Sequence, residues 1–232
     1  MPFDLSRIRA ICFDVDGTLS DTDDQFVQKL VNSLRPVRFI FRGRDSHPLA
    51  RKLVMQTEGP GNFIFSLADM LGLDEKIVSF GDRLYEMGIG DAPEPHLLID
   101  GVREMLAELR KHYPLSIVSA RGQRATLRFL FQFELLPFFT AIATGQTCRH
   151  TKPYPEPIQW AAEQMGVQAS DCLMVGDTKV DIQAGKKAGA QTVGVLCGFG
   201  EEKELRKAGA DLILKKTADL VDLLQIGAKL IP

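Results

Sequence analysis

The sequence is poor in several features that would mark whole classes of protein. It has no excess of either charge: 28 basic and 30 acidic residues among 232 leave a net charge of −2. No global basic field advertises nucleic-acid binding. No apolar run approaches the roughly 18 residues needed to span a bilayer. The richest stretch, 129–139, is broken by Gln132, Glu134 and Pro137. The first thirteen residues carry Asp4, Arg7 and Arg9 among apolar neighbours, with neither the apolar core nor the cleavage site of a signal peptide. Cysteine is scarce: Cys12, Cys148, Cys172 and Cys197 show no C-x-x-C spacing. They read as small hydrophobes in a reducing compartment rather than as a disulfide or zinc framework. These absences describe a cytoplasmic protein without a membrane or nucleic-acid partner.

What is present is ordinary globular chemistry, 45% hydrophobic and 25% charged, which excludes intrinsic disorder and collagen-like repeats. At roughly 150 residues per domain, the length suits one large domain or one domain with a small accessory. Short apolar runs recur at 10–13, 115–118, 141–143, 172–175, 192–196 and 212–214. They are nearly continuous rather than alternating, as in strands of a parallel sheet buried on both faces. Segments of helical period separate them. Val102, Met105, Leu106 and Leu109 form one stripe, and Ile158, Ala161, Ala162 and Met165 another. Gly166, Gly189 and Gly209 follow three such segments as C-terminal stops. This β-α alternation predicts an α/β fold with a doubly wound, Rossmann-like parallel sheet.

Residues 20–95 break the rhythm. Stripes at Val27, Leu30, Val31 and Leu34, at Ile64, Leu67, Ala68 and Leu71, and at Ile77, Phe80, Leu84 and Met87 read as successive helices. The expected organisation is a core of 1–19 and 96–232 with a helical insertion of 20–95. Asp91-Ala92-Pro93-Glu94-Pro95 is the return linker.

Two acidic motifs follow strands directly: Asp14-Val15-Asp16-Gly17-Thr18 and Gly176-Asp177-Thr178-Lys179-Val180-Asp181. In an open α/β sheet, ligands bind beyond the carboxyl ends of the strands. Two carboxylates about 4 Å apart repel by roughly 4 kcal/mol at an effective dielectric near 20. Such a cluster therefore needs protons or a cation. All candidate ligands are oxygen, and hard ligands suit Mg²⁺. Taken singly, each acid has a plainer role in a turn or at a helix start, Asp181 above all.

These motifs resemble those of the haloacid dehalogenase-like superfamily of hydrolases, over essentially the whole chain. D-x-D-G-T appears as Asp14 to Thr18. An apolar strand ending in a hydroxyl appears as Leu115 to Ser119. A lysine followed by proline appears as Lys152-Pro153, and G-D-x-x-x-D as Gly176 to Asp181. The insertion after the first motif is similar to the helical cap of phosphoglycolate phosphatase-like members.

The resemblance implies a Mg²⁺-dependent phosphatase that hydrolyses a small phosphomonoester through an aspartyl-phosphate. Asp14 is then the nucleophile, and Asp16 protonates the leaving group and later deprotonates water. Asp14, Asp177, Asp181 and the Asp16 carbonyl serve the metal. Gly17, Thr18, Ser119, Ala120 and Lys152 bind the phosphoryl group, with Ser119 and Lys152 stabilising its charge. Lys152 has an alternative as a solvated lysine, and Ser119 as the N-cap of a helix starting near Gln123. An acid two residues after the nucleophile disfavours dehalogenation.

This chain departs from many members in carrying Ala120-Arg121 where Asn often follows the hydroxyl residue. Arg121 reaches either an anionic substrate tail or solvent. The basic stretch containing Arg42, Arg44 and His47 is a further candidate for substrate specificity. The alternatives are a phosphomutase of the β-phosphoglucomutase type and a phosphoaspartate signalling module. The expected partner is a small phosphorylated metabolite, and the protein a monomer or homodimer.

Overall fold

Strand β1 (Ala10–Phe13) shows why the strands read as unbroken apolar runs. Ala10 and Cys12 enter one buried cluster, while Ile11 and Phe13 enter another. Successive side chains point to opposite faces of a strand, and here both faces are dry. The computed structural model describes residues 3–21, 97–198 and 200–224. Within them β1 is followed by α1 (Val102–Leu109), β2 (Leu115–Val118), α2 (Gln123–Gln132) and β3 (Ala141–Ala143). Then come α3 (Glu156–Gln164), β4 (Cys172–Gly176), α4 (Lys179–Ala188), β5 (Gln191–Val195), α5 (Glu202–Ala208) and β6 (Leu212–Leu214).

The six expected apolar runs are the six strands, all parallel, in the order β3-β2-β1-β4-β5-β6. The large residues of β1, β2, β4 and β5 pack with Val102, Met105, Leu106 and Leu109 of α1 and with Phe129 and Leu130 of α2. Alanine and cysteine dominate the other face, under Ile158, Ala161 and Ala162 of α3 and Ala184 of α4. The result is a doubly wound sheet between two helix layers.

Two strands differ in their bounds. β4 runs one residue beyond its apolar run, to Gly176. The run expected at 192–196 is a strand from Gln191 to Val195. Gln191 is polar yet 5% exposed, because its side chain is tied to the N-terminal segment. Its Nε2 donates to the Asp4 carbonyl at 2.7 Å, and its Oε1 accepts from the Asp4 N–H at 2.6 Å. An apolar pattern cannot register a residue buried by a paired amide.

The chain builds the sheet outward from β1 through β2 to β3, then returns to place β4 on the other side of β1. The reversal opens a crevice between the carboxyl ends of β1 and β4. Phe13 pairs with Val175, and the Asp14 N–H donates to the Val175 carbonyl at 3.0 Å. The strand order thus delivers the two acidic motifs to one crevice. The described segments that end at Asp21 and resume at Leu97 also meet here. Ser20 bridges Leu98, the Asp21 N–H donates to the Leu97 carbonyl at 2.8 Å, and the Ile99 N–H to the Leu19 carbonyl at 3.0 Å. The three helical stripes, Arg42, Arg44, His47 and the return linker lie outside the described residues.

At the far side of the sheet Asp211 fastens the start of β6. It accepts from Lys186 Nζ at 2.5 Å, Thr192 N at 2.8 Å and Thr192 Oγ1 at 2.9 Å. Burial pushes its carboxyl up, but the bonds from Lys186 and Thr192 outweigh that and hold it below the ordinary 3.8. A depressed carboxyl contributes stability above its unfolded value and loses it as the pH falls through its folded value. Asp211→Ala is expected to cost about 1–3 kcal/mol at neutral pH. In urea melts the gap from the parent protein should close in acid; a gap independent of pH would mean that packing, not charge, carries the effect.

Candidate active site at the strand crossover

Asp14 stands one residue beyond β1 and is 6% exposed. Asp177 stands one residue beyond β4 and is fully buried, as is Asp181 in the first turn of α4. Each offers a carboxylate oxygen, and these oxygens lie within 4.8 Å of one another. Lys152 reaches them from the loop between β3 and α3, with its side chain only 3% exposed. Its Nζ donates to Asp14 Oδ1 and to Asp181 Oδ1, each at 2.6 Å. The solvated-lysine alternative is therefore excluded.

Asp181 does two jobs at once. Oδ1 takes the lysine, while Oδ2 accepts from the Thr178 N–H at 3.0 Å and from Thr178 Oγ1 at 2.6 Å. This is the capping interaction of a helix N-terminus, and it fixes the direction in which Oδ1 points. The helix-start role read for Asp181 is present, and the same residue lies in the carboxylate cluster.

Close packing of backbone holds Asp177. Gly17 has φ +68°, a left-handed conformation that favours glycine. A Cβ on Gly17 would come 2.7 Å from Asp177 Cγ, and one on Gly198 2.6 Å from the same atom. Neither position accommodates a side chain without displacing the carboxylate.

Three carboxylates face one ammonium here. Burial pushes the Asp14 carboxyl up, and the nearby Asp181 and Asp16 add to this; Lys152 opposes it, and the balance stands at about 7. Burial tends to lower Lys152, but Asp14 and Asp181 outweigh it and keep the ammonium charged above its ordinary range. Ionising all three acids leaves two negative charges to be offset in a dry crevice. A divalent cation fits that deficit, and an all-carboxylate donor set suits a hard ion. The three aspartates can hold such a metal.

The other expected residues gather on the same edge. Ser119 follows β2, is 4% exposed, and its N–H donates to the Ala143 carbonyl at 3.0 Å. It is not a helix cap: α2 starts at Gln123 and its N-cap is Gly122. Thr18 is fully buried and its carbonyl accepts from Thr217 Oγ1 at 2.6 Å. Asp16 is more open, its side chain 35% exposed, and it is paired with Arg121 through Nη2 and Oδ1.

Sequence reasoning did not single out Thr178, Thr217 or Cys197. Thr178 was legible, since Thr-x-x-Asp at a strand-to-helix turn is a capping signature. Cys197, whose Sγ donates to the Gly17 carbonyl at 3.4 Å, and Thr217 brace the Asp14–Thr18 loop from later strand ends. Nothing local in the sequence points to those contacts. All four cysteines are free thiols, with Cys12 and Cys172 buried as expected. Among the described residues no helix is long and apolar enough to cross a membrane.

Comparison with known proteins agrees with this geometry. A family profile described as haloacid dehalogenase-like hydrolase matches residues 72–195, a range that includes Ser119, Lys152, Asp177 and Asp181. Pyrophosphatase PpaX of Bacillus pumilus is 30% identical over 221 residues, covering 93% of this chain and 96% of that protein. Pyrophosphatase PpaX of Bacillus velezensis is 30% identical over 222 residues, covering 94% and 96%. Among solved structures, a predicted phosphoglycolate phosphatase from Haemophilus somnus superposes with a TM-score of 0.63 at 21% identity, covering 94% of this chain and 98% of that one. A hydrolase from Pseudomonas syringae gives 0.62 at 22% identity, covering 94% and 98%. At such identities the structures speak for the fold alone.

Proposed function

The chain belongs to the haloacid dehalogenase-like hydrolases, and from that premise we propose that it is a magnesium-dependent phosphatase of small phosphorylated metabolites, working through an aspartyl-phosphate on Asp14. One observation carries the reading: a buried ammonium, Lys152 Nζ, joins Asp14 to Asp181 with Asp177 beside them. An ion cluster this costly to desolvate contributes little to stability by itself, so its use is sought in chemistry.

Asp14 attacks phosphorus with a carboxylate oxygen, and the bond from phosphorus to the leaving oxygen breaks. Lys152 opposes the rise that burial imposes on the Asp14 carboxyl and presents positive charge to the transferring group. Asp16, the more exposed acid, gives its proton to the leaving oxygen. It then takes a proton from the water that attacks the phosphorus of the acyl phosphate. Inorganic phosphate leaves and the Asp14 carboxylate is restored. Ser119 Oγ, the Ala120 N–H and the Gly17-Thr18 turn bind phosphoryl oxygens. Asp14, Asp177 and Asp181, with the Asp16 carbonyl, would hold Mg²⁺, which when bound neutralises charge on the cluster and the phosphoryl group.

The same reading makes 20–95 a cap on a core of 1–19 and 96–232. Its support is the pairing of Ser20 with Leu98, which brings both ends of the excursion to the catalytic edge. The relatives named pyrophosphatase and the phosphoglycolate phosphatase-like motifs favour a small, strongly anionic substrate.

Purified protein should release phosphate from p-nitrophenyl phosphate with Mg²⁺ and not with EDTA. Inactivity across a panel of phosphorylated metabolites under saturating Mg²⁺ would defeat the proposal. Metal binding should also register without turnover. At a hundred times its dissociation constant a ligand of the native state adds about 2.7 kcal/mol. Mg²⁺ is therefore expected to raise the melting temperature by several degrees, and Asp177→Asn to abolish that rise. An equal rise in the variant would place the metal elsewhere.

A further inference from the structure

Arg121 is held on all sides but one. Its N–H donates to Ser119 Oγ at 3.1 Å, and its carbonyl accepts from the Gly145 N–H at 2.8 Å. The backbone at the end of β2 is thus tied both to the phosphate-binding hydroxyl and to the loop after β3. The side chain is 16% exposed and its Nη2 is paired with Asp16 Oδ1. Its Nη1 is buried and has no hydrogen-bond partner among the described residues. A buried guanidinium nitrogen left bare is costly. Both nitrogens hang from one carbon, so the bare donor lies directly beside the carboxylate assigned to the leaving group.

We propose that Arg121 reads a second negative group on the substrate: Nη2 orients Asp16 at the leaving oxygen while Nη1 takes a carboxylate or second phosphate carried a few atoms from the scissile phosphorus. This rests on the phosphatase reading above and narrows it to phosphate compounds whose leaving portion is anionic. Arginine suits the task because its planar fork serves two acceptors at a fixed spacing. A lysine at the same place has one charged centre and cannot hold both. Arg121 is therefore a binding residue toward the anion and a positioning residue toward Asp16.

The test compares substrates differing at that group alone. 2-Phosphoglycolate and 2-hydroxyethyl phosphate share a skeleton but differ in a carboxylate; ethane-1,2-diyl bisphosphate and ethyl phosphate probe a second phosphate in the same way. The parent enzyme should prefer the anionic member of at least one pair by about 10- to 100-fold in kcat/KM, the range of one charge-assisted bond. Arg121→Met should reduce that preference to less than about 3-fold. The loss should fall on KM for the anionic substrate, with kcat lowered on both members as Asp16 loses its hold. Arg121→Lys should recover part of the KM and little of the kcat.

Which pair shows the preference identifies the second group. Equal rates within both pairs for the parent enzyme would overturn the proposal. So would an equal loss on both members in Arg121→Met, or a Lys variant no better than Met. If Arg121→Met does not fold, the parent preference and the Lys variant still decide. Failure of the underlying phosphatase reading looks different: none of the four substrates, nor p-nitrophenyl phosphate, would then be turned over at all.

Discussion

Asp14→Asn is expected to lose about 10⁴-fold or more in kcat, the scale seen when a covalent nucleophile or its partner is removed. The amide has nearly the shape of the carboxylate, can still accept from Lys152, and cannot form the acyl phosphate. Stability should move the other way. In the metal-free protein, Asn removes one of three buried carboxylates that share a single ammonium, relieving repulsion that the active site stores.

The pH dependence sharpens this. Asp14 titrates at 3.8 in the unfolded chain and at about 7 when folded. The metal-free native state thus holds an extra proton between those values. That contribution is complete below 3.8 and lost as the pH rises through about 7. Urea melts in EDTA should show parent stability declining across this window relative to Asp14→Asn. Substantial turnover by the variant, with the same mass and no reversion to Asp, would remove Asp14 as nucleophile.

Lys152→Met carries the second large effect, on folding as well as rate. The variant keeps the packing volume of the stem but leaves Asp14 and Asp181 without their shared cation in a site where both are nearly or fully buried. Breaking a buried ion pair from one side costs about 3–5 kcal/mol, which is a large part of the stability of an ordinary domain. Saturating Mg²⁺ should restore part of it, since a cation on the same carboxylates replaces part of the missing charge. Activity should stay low even with metal, because the positive charge facing the phosphoryl group is gone. A variant as stable as the parent in EDTA would show that the 2.6 Å contacts do not hold the cluster together.

Much of this protein was readable from one chain of letters, for identifiable reasons. Strands buried on both faces leave continuous apolar runs, so β1 to β6 were all visible; β4 ran one residue further, to Gly176, and β5 shifted where the paired amide of Gln191 buried a polar residue. The acids were visible because Asp14 directly follows one such run and Asp177 stands one glycine beyond another. The helix stops at Gly189 and Gly209 were visible because both adopt positive φ. The roles of Ser119 and Lys152 were harder. A serine at a strand end and a lysine before proline have solvated or capping alternatives that sequence alone leaves open. Burial of Lys152 and the helix start at Gln123 resolved those alternatives.

The sequence by itself determined the strands, the helices between them and the chemical types at each strand end, because those follow from local periodicity and from residues adjacent in the chain. Only the tertiary structure decided which strand ends become neighbours. The order β3-β2-β1-β4-β5-β6 puts Asp14 and Asp177 across one crevice, although 163 positions in the numbering separate them. It also decided that Lys152 turns inward, that Thr217 and Cys197 brace the first acidic loop, and that Arg121 takes Asp16. Those contacts are long-range, made by side chains whose partners are set by how the helices pack on the sheet, and no local pattern encodes them.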